Sequence, residues 1–159
     1  MEDKPKLPKR KKIRLEGYDY SSEGCYFITI CTESRKNLLS VVGDADLGVP
    51  KEITLKPYGR IAEKYILSME NAYECITVNN CIIMPNHVHL LVSIDTYGLP
   101  GSAAPTIPNL IRVYKRLVNR DCKQKIWQRG YIDHIIRNQT DFEYHWNYIE
   151  YNALKEYKE

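Results

Sequence analysis

A chain of 159 residues with 43% hydrophobic and 27% charged side chains is long enough for one domain with a real core, and its composition is that of a globular protein rather than a disordered one. No apolar run approaches the ~18–20 residues of a membrane span and the first residues lack a signal-peptide stretch, so a cytosolic protein without a membrane partner is expected. The net charge of +3 hides a segregation: residues 1–14 carry seven basic side chains against two acidic, residues 112–137 carry eight against two, and the remainder is acidic. Binding to a polyanion is therefore expected of Lys9, Arg10, Lys11, Lys12 and Arg14 in the first block and of Arg112, Lys115, Arg116 and Lys123 in the second. Cys25, Cys31, Cys75, Cys81 and Cys122 form no CxxC pair, which argues against a disulfide framework or zinc knuckle and fits reduced thiols.

In chain order, residues 1–14 read as a basic flexible arm and residues 15–159 as a single domain. Residues 25–32, dense in aromatic and β-branched side chains, predict a first strand, and residues 43–52 a surface loop. Pro57 opens a helix in which Tyr58, Ile61, Ala62, Tyr65 and Met69 recur at helical spacing to about residue 72. Residues 74–84 form a second strand, which Pro85 and Asn86 turn into a third. Beyond a Gly/Pro/Ala/Ser link at 98–105, Thr106 caps a helix to about residue 119, with Leu110, Val113, Tyr114 and Leu117 inward and the second basic block partly outward. Residues 125–137 read as one strand bent at Gly130. Thr140 and Glu143 make a capping box for a last helix running to about residue 157. This order predicts an α+β, ferredoxin-like sandwich with a mainly antiparallel sheet and an added C-terminal helix.

Two features point to chemistry. His87 and His89 lie two residues apart in the third strand, so their imidazoles share one face while Val88, Leu90, Val92 and Ile94 enter a core on the other. That pair is half a metal site, although satisfied polar residues or zinc ligation would show the same spacing. On the last helix, Phe142, Trp146, Ile149 and Ala153 form a narrow apolar stripe expected to face the core. Tyr148 and Asn152 lie one turn apart and off that stripe, where a phenol and an amide oxygen can flank a metal. Tyr144 and Tyr151 are read as packing residues, and Trp127 as core with Tyr131 a candidate base stacker. His134 and His145 stand alone without ligand-spaced partners, although His145, one turn before Tyr148, and Asp133 are candidates to support the site.

Three blocks resemble a known family: 18–32 (Tyr18-Asp19-Tyr20-Ser21 to Gly24-Cys25-Tyr26-Phe27-Ile28-Thr29-Ile30-Cys31-Thr32), 83–89 (Ile83-Met84-Pro85-Asn86-His87-Val88-His89), and 127–138 (Trp127-Gln128-Arg129-Gly130-Tyr131-Ile132-Asp133-His134-Ile135-Ile136-Arg137-Asn138) leading into Tyr148-Ile149-Glu150-Tyr151-Asn152. The set resembles the REP-associated tyrosine transposases of the single-tyrosine HUH superfamily, from about residue 13 to 155. The resemblance implies that His87 and His89 are the HUH histidines binding Mg2+ or Mn2+, that Tyr148 is the nucleophile and that Asn152 supplies a third ligand. The family usually follows this asparagine with proline, where this chain has Ala153. The resemblance further implies strand transfer through a 5′-phosphotyrosine on single-stranded DNA beside a hairpin, by a monomer or by a homodimer exchanging its tyrosine helix, in the cytoplasm and on the nucleoid when bound. A domesticated hairpin-binding protein without transposition and a hydrolase of small phosphoesters or RNA are the competing expectations.

Overall fold

The computed structural model describes residues 23–43, 52–96 and 104–155, with side chains described through residue 152. The arm at 1–14 with Lys9, Arg10, Lys11, Lys12 and Arg14, the Tyr18 block, the centre of the 43–52 loop and most of the 98–105 link lie outside the described residues.

Strand β1 (Gly24–Cys31) is followed by a short hairpin of β2 (Ser40–Val42) and β3 (Ile53–Leu55) and by helix α1 (Pro57–Ala72). Strands β4 (Ile76–Ile83) and β5 (His87–Ile94) form the expected hairpin, then come α2 (Ile107–Asp121), β6 (Ile132–Ile136) and α3 (Gln139–Lys155). The main sheet has the order β4-β5-β1-β6 with every pairing antiparallel, the ferredoxin-like arrangement, and the histidine strand is central. Thr106 accepts the amide of Asn109 at the start of α2, as its position before Ile107 and Pro108 requires. The five cysteines are free, and no helix among the described residues is long and apolar enough to cross a membrane.

Alternation divides the sheet into two unlike faces. Tyr26, Ile28 and Ile30 of β1 and Val88, Leu90, Val92 and Ile94 of β5 are buried with α1 and α2 in the principal core. The other face presents Phe27, Thr29, His87, His89 and His134 in register across β6, β1 and β5. Helix α3 covers this mixed face. It crosses the strands one after another: Asp141 meets His134 of β6, His145 meets Phe27 of β1, Tyr148 meets His89 of β5, and Glu150 accepts the Asn80 amide of β4. A bulge at Asn79 lets both Asn79 and Asn80 turn polar side chains to this side, Asn79 to Ser93 and Asn80 to the helix.

Three expectations from the sequence are corrected. The strand expected over 125–137 is confined to Ile132–Ile136, because Gly130 takes a left-handed φ of 79° and Trp127 is drawn into the core, bridging only to Thr32. The last helix is capped two residues earlier than expected: Asn138 accepts the Asp141 amide, and the Asp141 carboxylate reaches back to the Arg137 amide, while Thr140 lies within the helix. The predicted inward stripe holds at Phe142 and Ile149 but not at Trp146, which is exposed; the buried or half-buried side of α3 is Asp141, Phe142, His145, Tyr148, Ile149 and Asn152. The side chain of Ala153 lies outside the described residues.

Candidate active site under the tyrosine helix

The turn before β5 is braced from below. Thr32 donates from both its amide and its hydroxyl to the Asn86 carbonyl, and the Leu39 amide donates to that of Pro85. His87 is thereby placed at the strand's first position, with its Nδ1 2.7 Å from the Asn86 side-chain oxygen. Across the ladder, Thr29 pairs with His89, and its hydroxyl lies 2.9 Å from His89 Nδ1. Both rings are thus oriented through Nδ1, and His89 keeps its Nε2 without a hydrogen-bond partner among the described residues. Neither Thr29 nor Asn86 stands out in the sequence, because a hydroxyl or amide that orients a histidine has no spacing signature of its own.

His87 and His89 lie with ring centroids 4.6 Å apart and are 3% and 5% exposed, so they sit beneath α3 rather than on an open surface. Burial, aided by the nearby Arg35 charge, holds His87 down at about 4; burial, the neighbouring His87, Arg35 and His145 hold His89 at about 3. Both are neutral at physiological pH, the state in which imidazole ligates a metal. Arg35 itself stands in a short turn where it and Ser34 have positive φ, 54° and 53°.

Tyr148 meets His89 edge to face at 5.3 Å and Phe27 at 5.8 Å, and Phe27 stacks on His89 at 5.1 Å. Helix and strand therefore bring the phenol to the histidine pair, with Phe27 as their common wall. Asn152, one turn beyond, is 1% exposed, and neither its Nδ2 nor His89 Nε2 has a hydrogen-bond partner among the described residues. Leaving such groups unpaired costs about 1–3 kcal/mol each. His89 and Asn152 therefore each keep a buried polar atom that a ligand could satisfy. Two neutral imidazoles and an amide oxygen are donors for a divalent cation, the oxygen suiting Mg2+ or Mn2+ and the imidazoles the later transition metals as well.

The other candidates separate. Arg112 and Arg116 are exposed on α2 and Lys123 in the turn that follows it, across the sheet from the histidines, so the structure does not bring them to the site. Lys115 donates to the carbonyls of Gln128 and Gly130, and burial lowers its pKa to about 8; it clamps the turn before β6 instead of standing free on a basic face. Trp127 and Tyr131 are core residues, and Asp133 points to the α1–α2 face opposite His134. Tyr144 and Tyr151, expected to pack, are 64% and 54% exposed on either side of Tyr148 along α3. His134 and His145 are not solitary: their rings stack at 4.6 Å and both contact Asp141. Partial burial works against ionisation of Asp141, but the Arg137 amide and the two histidines hold its carboxyl below the usual range.

No protein-family model matches the chain. It is 26% identical to an uncharacterised Haemophilus influenzae protein, over 91% of this chain and 88% of that one. It is 27% identical to a second protein of that organism, described as "Putative REP-associated tyrosine transposase", over 86% of this chain and 74% of that one. A solved REP-associated tyrosine transposase bound to a REP hairpin shares its fold with a TM-score of 0.64 at 21% identity, covering 89% of this chain and 74% of that one. The chain is thus similar in sequence to the one and in fold to the other.

Proposed function

We propose that the protein nicks and rejoins single-stranded DNA beside a hairpin, by a metal-dependent reaction in which Tyr148 becomes covalently attached to a 5′ phosphate. The observation that carries this reading is the meeting of Tyr148 with the oriented ring of His89, itself packed against His87, with buried unpaired polar atoms on His89 and Asn152. His87, His89 and Asn152 would hold Mg2+ or Mn2+, which when bound polarises the scissile phosphodiester and offsets charge on the leaving oxygen.

The chain's own groups do the rest. The Tyr148 oxygen, having given up its proton, forms a bond to phosphorus as the bond from phosphorus to the 3′ oxygen breaks; that oxygen takes up a proton and leaves as a 3′-hydroxyl. The phosphotyrosine keeps the energy of the broken ester, so an incoming 3′-hydroxyl reverses the step and joins strands without ATP. Thr29 and Asn86 hold the imidazoles against rotation, and Phe27 fixes the phenol. Tyr144 and Tyr151 present open rings on which unpaired bases can stack, a recognition suited to single strands.

The hairpin comes from the solved relative, which is bound to one. Its stem would lie on Arg112, Arg116 and Lys123 together with the arm residues Lys9, Arg10, Lys11, Lys12 and Arg14. Because Tyr148 meets His89 of its own chain, this reading requires no homodimer.

The test is incubation with 5′-labelled and 3′-labelled hairpin oligonucleotides and Mn2+, followed by a denaturing gel and peptide mapping. The 3′-labelled fragment should migrate with the protein, linked at Tyr148, and the 5′-labelled fragment should be released. An absence of adduct, or linkage at another residue, overturns the proposal.

A further inference from the structure

A second constellation lies at the other end of α3. His134 projects from β6, and Asp141 and His145 stand one turn apart on the helix, on the side facing it. His134 Nε2 is 3.0 and 2.9 Å from the two Asp141 carboxylate oxygens, and His145 Nδ1 is 3.1 Å from Oδ1. One ligating atom from each of the three residues lies within 4.8 Å of the others. We propose that His134, Asp141 and His145 form a second metal site, separate from His87 and His89, which takes a transition metal such as Zn2+ and fastens the first turns of the tyrosine helix to edge strand β6.

Three features favour a metal over a simple hydrogen-bonded triad. The rings stack nearly parallel, 22° apart, so that both turn a nitrogen towards the same carboxylate. The carboxylate is itself held by the Arg137 amide, the outer-shell support that a ligating carboxylate receives. The donors are two imidazoles and one carboxylate, a set found in zinc sites. With metal–ligand bonds of about 2.0–2.2 Å, tetrahedral ligands stand roughly 3.3–3.5 Å apart, so small side-chain rotations complete the shell. His145 Nδ1, which is also 2.9 Å from the Asp141 carbonyl, would then carry its proton on Nε2 instead. The half-exposed side of His134 leaves a coordination position for water.

The effect reaches the active site through packing. The ring of His145 lies 4.6 Å from Phe27, which touches both His89 and Tyr148. A metal at this end therefore steadies the wall against which the phenol rests. The inference does not depend on nicking: a protein that cut no DNA would still bind this metal.

The experiment is Zn2+ titration of the full chain by calorimetry, with thermal unfolding alongside. The His87→Ala/His89→Ala variant should still bind one equivalent of Zn2+ and gain thermal stability from it. Adding Asp141→Asn, which keeps the acceptor for the Arg137 amide, or His134→Gln should weaken that binding at least tenfold and remove the gain. Loss of all zinc binding in the folded His87→Ala/His89→Ala variant, or binding unchanged by Asp141→Asn, overturns the proposal. Should that variant not fold, the same titration on otherwise wild-type protein decides: two equivalents falling to one with Asp141→Asn supports it, and a count unchanged by Asp141→Asn refutes it.

Discussion

His89 and Tyr148 meet edge to face with ring centroids 5.3 Å apart, across the seam where α3 crosses β5. The contact joins a strand residue oriented by Thr29 to a helix residue whose position depends on anchors at both ends of α3. The site is therefore as precise as the docking of that helix, and the predictions below probe the docking and the chemistry separately.

Tyr148→Phe removes the phenolic oxygen and keeps the ring that packs on Phe27 and His89. Covalent adduct on a hairpin substrate should fall below detection in denaturing gels, while DNA binding measured by fluorescence anisotropy stays within about twofold. Stability should change by less than about 1.5 kcal/mol, the scale of a single hydrogen bond. An adduct formed by the variant would exclude Tyr148 as the nucleophile.

Thr29→Val takes away the hydroxyl that orients His89 through Nδ1. Loss of such a partner typically costs 10–100-fold in metal affinity or activity. Nicking should therefore need roughly that much more Mn2+ to reach half-maximal rate, with Thr29→Ser restoring the wild-type requirement. An unaltered Mn2+ dependence would mean that this hydroxyl does not set the ring.

Asn138→Ala deletes the cap of α3 and should cost about 1 kcal/mol in urea denaturation. Thr140→Ala, at the position where the sequence suggested a cap, should be close to neutral because its side chain is exposed within the first turn. The reverse ranking would contradict the observed start of the helix.

Asp121 accepts the Tyr65 hydroxyl at 2.5 Å and the Arg120 guanidinium at 3.0 Å, which hold its carboxyl at about 2, below the ordinary 3.8. The unfolded chain takes up this proton more readily than the folded one. The stabilisation is thus complete above the ordinary carboxylate value and disappears as pH falls through about 2. Denaturation curves between pH 5 and 2 should show a shallower acid loss for Asp121→Asn than for the wild type; parallel acid limbs would argue against the linkage.

Much of this architecture is written locally. Alternation along 87–94 determines that both imidazoles share a face opposite Val88, Leu90 and Val92, because successive strand side chains must point to opposite sides. Pro57, Thr106 and helical periodicity determine where α1 and α2 begin and what they bury. These are consequences of backbone geometry and of apolar burial, and both act over a few residues.

The orientation of α3 was decided only by the tertiary structure. A rule that buries the most apolar stripe selects Phe142, Trp146, Ile149 and Ala153, yet the sheet face awaiting the helix carries Phe27, Thr29, His87, His89 and His134. Such a surface is matched by polar and aromatic groups, so His145, Tyr148 and Asn152 turn inward and Trp146 outward. The same docking joins His134 to Asp141 and His145. Residue types chosen for chemistry do not announce their burial, because their partners are brought to them from distant parts of the chain.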